Sequence, residues 1–200
     1  MTRTGMTEAN VAWPVGRRLE TPRLMLEPIR LATARALLDG SPVADLVAGP
    51  GWPQPDTLNG LRMDVATADA VADGAERTGW FVVLRQTGQV IGDCGWYGGP
   101  DEQGDAELGY GLAAPFRGQG YGTELVRALV GWCAGQPGVR RIVAEVLPGN
   151  TPSRRVLAAA GFTEICASGD HLLYAWPVPA ASVRPVTTGE PCLVALVDRT

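Results

Sequence analysis

Three glycines at alternate positions, Gly118, Gly120 and Gly122, are the residues whose spacing points most directly to chemistry. They lie between a strand-like run that ends at Leu112 and a helix-like run that begins at Thr123. Glycine lets the backbone turn tightly with its N–H groups pointing outward, and the following helix places about half a positive charge behind them. Such a loop binds phosphate-like anions, and a pyrophosphate-bearing cofactor is the expected ligand. The alternative is a plain glycine-rich turn that caps a helix.

The residues around these glycines exclude two familiar phosphate-binding loops. No Lys-Ser or Lys-Thr pair follows them, so the loop is not of the G-x-x-x-x-G-K-[ST] type. The dinucleotide pattern G-x-G-x-x-G also fails, because the third glycine arrives one residue early. The remaining pattern is R-x-x-G-x-G, formed by Arg117, Gly120 and Gly122.

A second strand-to-helix unit follows the first helix. A strand is predicted over residues 141–147, and the helix behind it opens at Asn150-Thr151-Pro152-Ser153. Thr151 is the predicted N-cap, Pro152 suits the first helical position, and Gly161 is a natural C-terminal stop.

Together these two units resemble the GNAT superfamily of acyl-CoA-dependent N-acetyltransferases. The family's acetyl-CoA motif, Q/R-x-x-G-x-G/A, is matched by the R-x-x-G-x-G loop, and its second signature is matched at Asn150, Ser153, Gly161 and Phe162. Residues 19–24 (L-E-T-P-R-L) and 107–110 (E-L-G-Y) are similar to the ribosomal-protein N-acetyltransferase branch, which is RimJ/RimL-like. The resemblance extends from about residue 19 to residue 177.

The resemblance implies which residues bind acetyl-CoA. The pyrophosphate would lie against the backbone of the loop residues Arg117, Gly118, Gln119, Gly120, Tyr121, Gly122 and Thr123. In the family, the main chain just after the third strand binds the pantetheine and the thioester carbonyl, which implicates Leu112 and Ala113 here. Asn150 is expected to serve the cofactor, and the alternative is that it is only a turn residue.

Glu107 is the candidate general base, because an ammonium must lose a proton before it can attack a thioester. Strand periodicity places Glu107, Gly109 and Gly111 on one face of the predicted strand. The glycines would leave space for an acceptor in front of the carboxylate, and the alternative is a solvated strand carboxylate. Glu145 on the neighbouring strand is a weaker candidate, which is expected to pair with an arginine.

Ser153 stands where the ribosomal-protein branch has a serine that is proposed to interact with the departing thiolate. The alternative is a serine in the first turn of a helix whose hydroxyl satisfies a backbone group. Seven positions after Asn150, much of the wider family has a tyrosine that acts as general acid. This chain has Leu157 there, which excludes that mechanism.

Aromatic residues, the single histidine and the cysteines complete the set of candidates. Four aromatic residues are candidates for the acceptor cleft, although three of them are equally good core residues: Trp52, Trp80, Trp96 and Tyr97. His171 starts a predicted strand and is expected to be structural. Four widely spaced cysteines without a C-x-x-C pair predict reduced thiols and no metal site.

The composition is that of one folded domain without a nucleic-acid or membrane surface. The 200 residues have a net charge of −4, which argues against a nucleic-acid partner. No stretch approaches the ~20 apolar residues of a membrane span, and the polar N-terminus lacks the core of a signal peptide. We therefore expect a cytoplasmic protein that is a monomer or a homodimer.

The resemblance implies a mixed α/β (α+β) fold, with a twisted, mostly antiparallel central sheet of about seven strands and about four flanking helices. The sheet should part between the third and fourth main strands, predicted at 105–112 and 141–147, to admit acetyl-CoA. The domain should cover residues 19–177, between a loose leader (1–18) and a tail (178–200). An apolar run in the tail at 192–197 predicts an added edge strand or, alternatively, a partner-binding arm.

The implied function is transfer of an acetyl group from acetyl-CoA to a primary amine by direct attack, without an enzyme-bound acyl intermediate. The acceptor stays open between a protein N-terminus, a metabolite amine and an amine antibiotic. Acidic side chains in the cleft would favour a cationic small molecule, but the sequence does not place them. The alternative from another class is a catalytically idle acyl-CoA-binding module that acts as a sensor or a partner protein.

Overall fold

Nine strands and four α-helices make up the described part of the chain, which comprises residues 17–70, 79–97 and 100–178 of a computed structural model. The strands are β1 (Leu19–Glu20), β2 (Leu24–Pro28), β3 (Val47–Ala48), β4 (Gly79–Leu84), β5 (Gln89–Trp96), β6 (Asp105–Leu112), β7 (Arg141–Val146), β8 (Thr163–Ser168) and β9 (His171–Pro177). The helices are α1 (Leu31–Leu38), α2 (Pro55–Ala70), α3 (Tyr121–Cys133) and α4 (Thr151–Ala160), and a 3₁₀ turn covers Ala114–Phe116.

The strands form one sheet in the order β1-β2-β4-β5-β6-β7-β9-β8, with β3 paired to one end of β5. Pairing is antiparallel except between β3 and β5 and between β6 and β7. The predicted mixed α/β fold with a mostly antiparallel sheet and four helices is confirmed. The predicted number of strands missed β1 and β3, because a strand of two residues carries no periodic signal.

The strands β6 and β7 lie side by side only at their first residues. Their parallel pairing ends at Glu107 and Val143, and an ion pair between Asp105 and Arg141 joins the paired ends. Beyond this point β6 continues along β5 as far as Leu112, while β7 continues along β9. The sheet therefore opens between these two strands, as the sequence predicts.

Helices cover both faces of the sheet. One face packs against α3 and α4 through apolar side chains at helical spacing: Leu125, Val126, Leu129, Val130, Cys133 and Leu157. The other face packs against α1 and α2, where Ala34 and Leu61 are buried. Leu108 and Leu112 of β6 belong to the α3–α4 core. Side chains alternate along a strand, so Glu107 lies on the α1–α2 face.

The helix α4 begins one residue earlier than predicted. Asn150 is its N-cap instead of Thr151, since the Asn150 side chain accepts a hydrogen bond from the backbone N–H of Ser153 at 3.2 Å. Gly161, with a φ of 97°, ends the helix as predicted. Asparagine and threonine are both good N-caps, so residue type alone did not decide between the two neighbours.

Several expectations concern the chain ends, the thiols and membranes. Residues 1–16 and 179–200 lie outside the described residues, so the leader and the edge strand at 192–197 stay predictions. Cys94 and Cys133 are free thiols, as predicted, whereas Cys166 is disulfide-bonded, contrary to the prediction. The absence of a C-x-x-C pair does not exclude a disulfide between cysteines that are distant in the chain. Among the described helices, none has the length and apolar character needed to cross a membrane.

Candidate functional site

The opening between β6 and β7 is flanked by two cavities. The larger, of about 1040 Å³, lies between α2, the second half of β6 and the loop that precedes α3. The smaller, of about 220 Å³, lies between β6, β7 and the start of α4. Five residues line both cavities: Tyr97, Gly109, Tyr110, Asn150 and Ser153. The cavities therefore adjoin, and one long ligand can extend from the loop to the parted strands.

The glycine-rich loop forms one wall of the larger cavity. Gly118 and Gly120 have φ values of 74° and 81°, which glycine adopts without strain. Gly120 is the N-cap of α3, and no side chain caps the N–H groups of the first turn. Together with the helix dipole, those N–H groups suit a phosphate group. This geometry favours an anion site over a plain turn.

Eight of the predicted cofactor-binding residues line the larger cavity: Leu112, Arg117, Gly118, Gly120, Gly122, Thr123, Asn150 and Ser153. The other three, Ala113, Gln119 and Tyr121, do not line it. Ala113 is fully buried, and the Gln119 side chain turns back to donate to the carbonyl of Pro115 at 2.9 Å. The ring of Tyr121 lies 4.5 Å below the guanidinium of Arg23. The Gln119 side chain is therefore engaged within the protein, and the backbone N–H of Ala113 is already donated to Ile91.

Arg117 fixes the position of the loop relative to the end of β6. Its Nε donates to the carbonyl oxygen of Leu112 at 2.7 Å, and a terminal nitrogen donates to Oε1 of Gln54 at 2.7 Å. The first contact ties the side chain to the end of β6, and the second ties it to the segment that precedes α2. The arginine of the R-x-x-G-x-G pattern therefore orders the start of the loop while it lines the cavity.

The main chain at the end of β6 presents Leu112 to the opening. Ala113 donates its N–H to the carbonyl of Ile91 at 2.8 Å, within the pairing with β5. Successive residues of an antiparallel strand direct their N–H groups to opposite edges, so the N–H of Leu112 points away from β5. Of the two predicted main-chain residues, Leu112 is the one placed to donate to a ligand in the opening.

Glu107 and Ser153 line the smaller cavity from opposite faces of the sheet. Glu107 lies on the α1–α2 face of β6, whereas Ser153 lies in the first turn of α4 on the other face. Both reach one cavity because β6 and β7 part directly after Glu107. Glu145 and His171 line the same cavity, which places the histidine that the sequence assigned to structure close to the candidate base.

Ser153 has a partner that the sequence did not indicate. Its hydroxyl lies 2.9 Å from the hydroxyl of Tyr110, within hydrogen-bond distance. Burial raises the pKa of Tyr110 to about 12, against the opposing effect of that hydrogen bond. The phenol therefore keeps its proton at neutral pH. It can donate that proton to Ser153, which leaves the serine hydrogen available for another acceptor.

A comparison with known protein families shows the family to which this chain belongs. The family described as "Acetyltransferase (GNAT) domain" matches residues 23–163, which is more than half of the chain. The chain belongs to the GNAT acetyltransferase family. It is therefore an N-acetyltransferase, and acetyl-CoA is its acyl donor.

Individual relatives agree with this assignment. The uncharacterised N-acetyltransferase YjdG of Bacillus subtilis (strain 168) is 27% identical over 150 residues, which cover 72% of this chain and 88% of the relative. The structure of Mycobacterium smegmatis RimJ in complex with CoA-disulfide matches with a TM-score of 0.54 at 25% identity, covering 80% of this chain and 86% of that one. Ribosomal-protein-S5-alanine acetyltransferase from Vibrio fischeri matches with a TM-score of 0.57 at 17% identity, covering 82% and 97%, and shows the fold alone.

The two glycines that follow Glu107 on its face of β6, Gly109 and Gly111, both line the larger cavity of this GNAT acetyltransferase. A Cβ at Gly109 would lie 2.7 Å from the ring of Tyr97, so a larger residue there would displace that ring. A Cβ at Gly111 would meet Nε2 of Gln54 at 3.7 Å, an ordinary contact. Gly109 therefore lets the ring of Tyr97 pack close to the strand that carries Glu107.

Three carboxylates line the α2 side of the larger cavity: Asp56, Asp64 and Asp93. Asp93 accepts hydrogen bonds from the Thr57 hydroxyl and, at 3.3 Å, from the indole N–H of Trp52. Burial has the largest effect on Asp93 and raises its pKa above the ordinary value despite these hydrogen bonds. The sequence did not place these carboxylates, and they make this side of the GNAT cleft favourable to a positively charged group.

The four aromatic candidates divide between the cleft and the core. Tyr97 is exposed and lines the larger cavity, and Trp96 also lines it but is buried in the α3–α4 core. Trp80 is buried in the α3–α4 core and Trp52 in the α1–α2 core. Leu157 is fully buried as well, so a core side chain stands where much of the wider family has a tyrosine. Within residues 17–70, 79–97 and 100–178, no group of three or more His, Cys, Asp or Glu is placed to hold a metal ion.

Proposed function

We propose that this GNAT enzyme transfers the acetyl group of acetyl-CoA to a primary α-amine by direct attack. The observation that carries the proposal is the placement of Glu107 and Ser153 on opposite walls of one cavity, where β6 and β7 part. The attacking amine needs a proton acceptor on its side of the thioester carbonyl, and the departing sulfur needs a hydrogen-bond donor on the other side. The arrangement needs no enzyme-bound acyl intermediate.

The glycine-rich loop is the proposed site for the pyrophosphate of acetyl-CoA. Its support is the uncapped first turn of α3, with Gly118, Gly120 and Gly122 all lining the larger cavity. The volume of about 1040 Å³ is at the upper end of the range for pockets that bind small molecules and cofactors. From this loop the pantetheine can extend to the opening, where the N–H of Leu112 donates to the thioester oxygen.

The proposed chemistry assigns one task to each side chain at the opening. Glu107 accepts a proton from the ammonium form of the acceptor, so that the nitrogen lone pair can attack the thioester carbon. The C–N bond forms and the C–S bond breaks, and the second proton of the attacking nitrogen ends on the departing sulfur, to which the Ser153 hydroxyl donates a hydrogen bond. Tyr110 lies within hydrogen-bond distance of Ser153 and can donate to it in turn. The N–H of Leu112 stabilises the negative charge that develops on the oxygen.

An α-amine suits a single carboxylate base better than a lysine side chain does. At about pH 7.5, an α-amine with a pKa of ~7.8 is roughly one-third neutral, whereas a lysine amine with a pKa of ~10.4 is only about 0.1% neutral. This difference in pKa corresponds to about 3.5 kcal/mol that the enzyme must supply for a lysine. The resemblance to the ribosomal-protein branch supports the same preference.

A cationic small-molecule amine is the second candidate acceptor. It is favoured by the three carboxylates, Asp56, Asp64 and Asp93, on the α2 side of the larger cavity. Several negative charges along one wall would attract a ligand with more than one ammonium group. An α-amine at a peptide N-terminus offers a single ammonium group, so the two acceptors differ in the number of charges that they bring to this wall.

Competition between peptides tests the acceptor class. We expect faster acetylation, at about pH 7.5, of peptides with a free N-terminus than of blocked peptides with an internal lysine, because far more of the α-amine is neutral. Mass spectrometry of the mixed products gives the ratio of kcat/KM values directly. Preference for the blocked lysine peptides would overturn the proposal. Inactivity on both, with activity on polyamines or aminoglycosides, would establish the second candidate instead.

A further inference from the structure

Arg23, in the segment L-E-T-P-R-L, makes three contacts with the glycine-rich loop and the helix that follows it. Its Nη1 donates to the carbonyl oxygen of Gln119 at 2.9 Å, across a separation of 96 residues in the chain. Its Nε donates to Glu124 at 2.6 Å. Its guanidinium lies over the ring of Tyr121, 4.5 Å from the ring centroid. None of these contacts belongs to the chemistry proposed for Glu107.

Glu124 completes this set of contacts from the first turn of α3. Its Oε1 accepts hydrogen bonds from the Thr21 hydroxyl at 2.6 Å and from the Arg23 backbone N–H at 2.8 Å. Burial alone would raise the pKa of Glu124, but the hydrogen bonds from Thr21 and Arg23 outweigh it and lower the pKa below its usual value. The Glu124 side chain is 15% exposed and that of Arg23 is 46% exposed, so solvent partly screens this pair.

We propose that Arg23 and Glu124 are positioning residues that hold the Gln119–Gly120 peptide in the orientation that binds pyrophosphate. The inference rests on the proposed binding of acetyl-CoA at this loop. A trans peptide points its C=O and N–H groups in opposite directions. Because Arg23 holds the carbonyl of Gln119, the N–H of Gly120 is turned to the opposite side, and Gly120 lines the larger cavity.

The glycines of the loop make the contact between Arg23 and Gln119 necessary. Gly118 and Gly120 are open to both left- and right-handed conformations, so a loop without the Arg23 contact would sample several orientations of its N–H groups. Ordering the loop only when the ligand arrives costs conformational entropy and weakens binding. The expected consequence of losing the contact is therefore lower affinity for CoA, with the chemical step left intact.

Two conservative substitutions separate positioning from a direct effect of charge. Glu124→Gln removes a negative charge beside the loop, so electrostatics alone predicts tighter binding of an anion, whereas positioning predicts weaker binding. Arg23→Lys keeps the positive charge but loses the planar fork that contacts Gln119 and Glu124 together. Charge alone predicts unchanged binding for this variant, whereas positioning again predicts weaker binding.

The experiment is a calorimetric titration of CoA into the full chain, with kcat and the KM for acetyl-CoA measured alongside. We expect Glu124→Gln and Arg23→Lys each to raise the Kd for CoA and the KM for acetyl-CoA by about tenfold, the order expected for a lost charge-assisted hydrogen bond. The kcat should stay within about twofold, because the interaction is the same in the ground and transition states. The matched control is Asp69→Asn, which removes the acid of another arginine pair, between α1 and α2, and should leave all three constants unchanged.

A Kd for CoA at or below the wild-type value in Glu124→Gln would overturn the inference, and so would wild-type affinity in Arg23→Lys. Either variant decides the question alone, so failure of one to fold leaves the other as the test. Gly120→Glu in the same titration shows which proposal has failed. If it loses CoA while the two variants retain wild-type affinity, only the positioning role is wrong. If it too binds CoA normally, the proposed location of the ligand is wrong.

Discussion

Gly120→Glu is expected to abolish the binding of CoA and acetyl-CoA. The new side chain would begin 3.3 Å from a terminal nitrogen of Arg23, at the N-cap of α3. Its carboxylate would add a negative charge where the proposal places the pyrophosphate, so it would repel that anion and compete with it for the helix N-terminus. The backbone at this position has a φ of 81°, so a residue with a Cβ is also strained there.

Thermal unfolding with and without CoA separates the loss of binding from the strain. At about 100 times its Kd a ligand stabilises the folded state by about 2.7 kcal/mol, which raises the Tm of a domain of this size by about 5–10 °C. We expect this increase in the wild type and none in Gly120→Glu. Gly88→Glu is the control, because it places the same charge at a left-handed hairpin glycine with open space around it. A CoA-induced increase in folded Gly120→Glu would place the ligand elsewhere.

Glu107→Gln is expected to lower kcat by at least about tenfold, since a positioned general base contributes ~10²–10⁴-fold. The amide keeps the shape of the carboxylate and removes its capacity to accept a proton. Glu107 does not line the larger cavity, whereas the loop does, so the KM for acetyl-CoA should change little. Steady-state kinetics at saturating acceptor gives both constants.

Glu145→Gln is the matched control for the base. Glu145 lies on β7 and lines the same small cavity, so the two variants remove one carboxylate each from the same surroundings. We expect near wild-type turnover in Glu145→Gln. Wild-type turnover in Glu107→Gln would leave that residue a strand carboxylate, and a large loss confined to Glu145→Gln would transfer the role of base to β7.

The elements that could be predicted are those with a long periodic signal. The bounds of β6 match the prediction at both ends, and the apolar stripe of α3 is the one that helical spacing indicates. The two-residue strands β1 and β3 were missed, because they exist only through pairing with β2 and β5. The local sequence pattern predicts a helix or strand that buries a periodic apolar face. It does not predict a short strand that forms only because a neighbouring strand supplies its hydrogen bonds.

The features of the candidate site also fall into local ones, which could be predicted, and long-range contacts, which could not. The proposed anion-binding loop is a local feature of residues 117–123, so the sequence alone is enough to propose it. The sequence did not indicate that the ring of Tyr97, from the preceding connection, packs against Gly109. The Tyr110–Ser153 hydrogen bond and the Arg23–Glu124 pair join residues 43 and 101 positions apart. The residue periodicities of single helices and strands do not predict contacts between residues so far apart in the chain.

The measurement that tests the account most directly is amine-dependent thiol release from acetyl-CoA. A thiol-reactive chromogenic disulfide follows free CoA over a panel of free-N-terminus peptides, amino acids, polyamines and aminoglycosides, with wild type and Glu107→Gln side by side. The account predicts release that depends on an α-amine acceptor and falls by at least about tenfold in Glu107→Gln. Release that no amine accelerates, in a protein that CoA still stabilises, would contradict it and would identify an idle acyl-CoA-binding module.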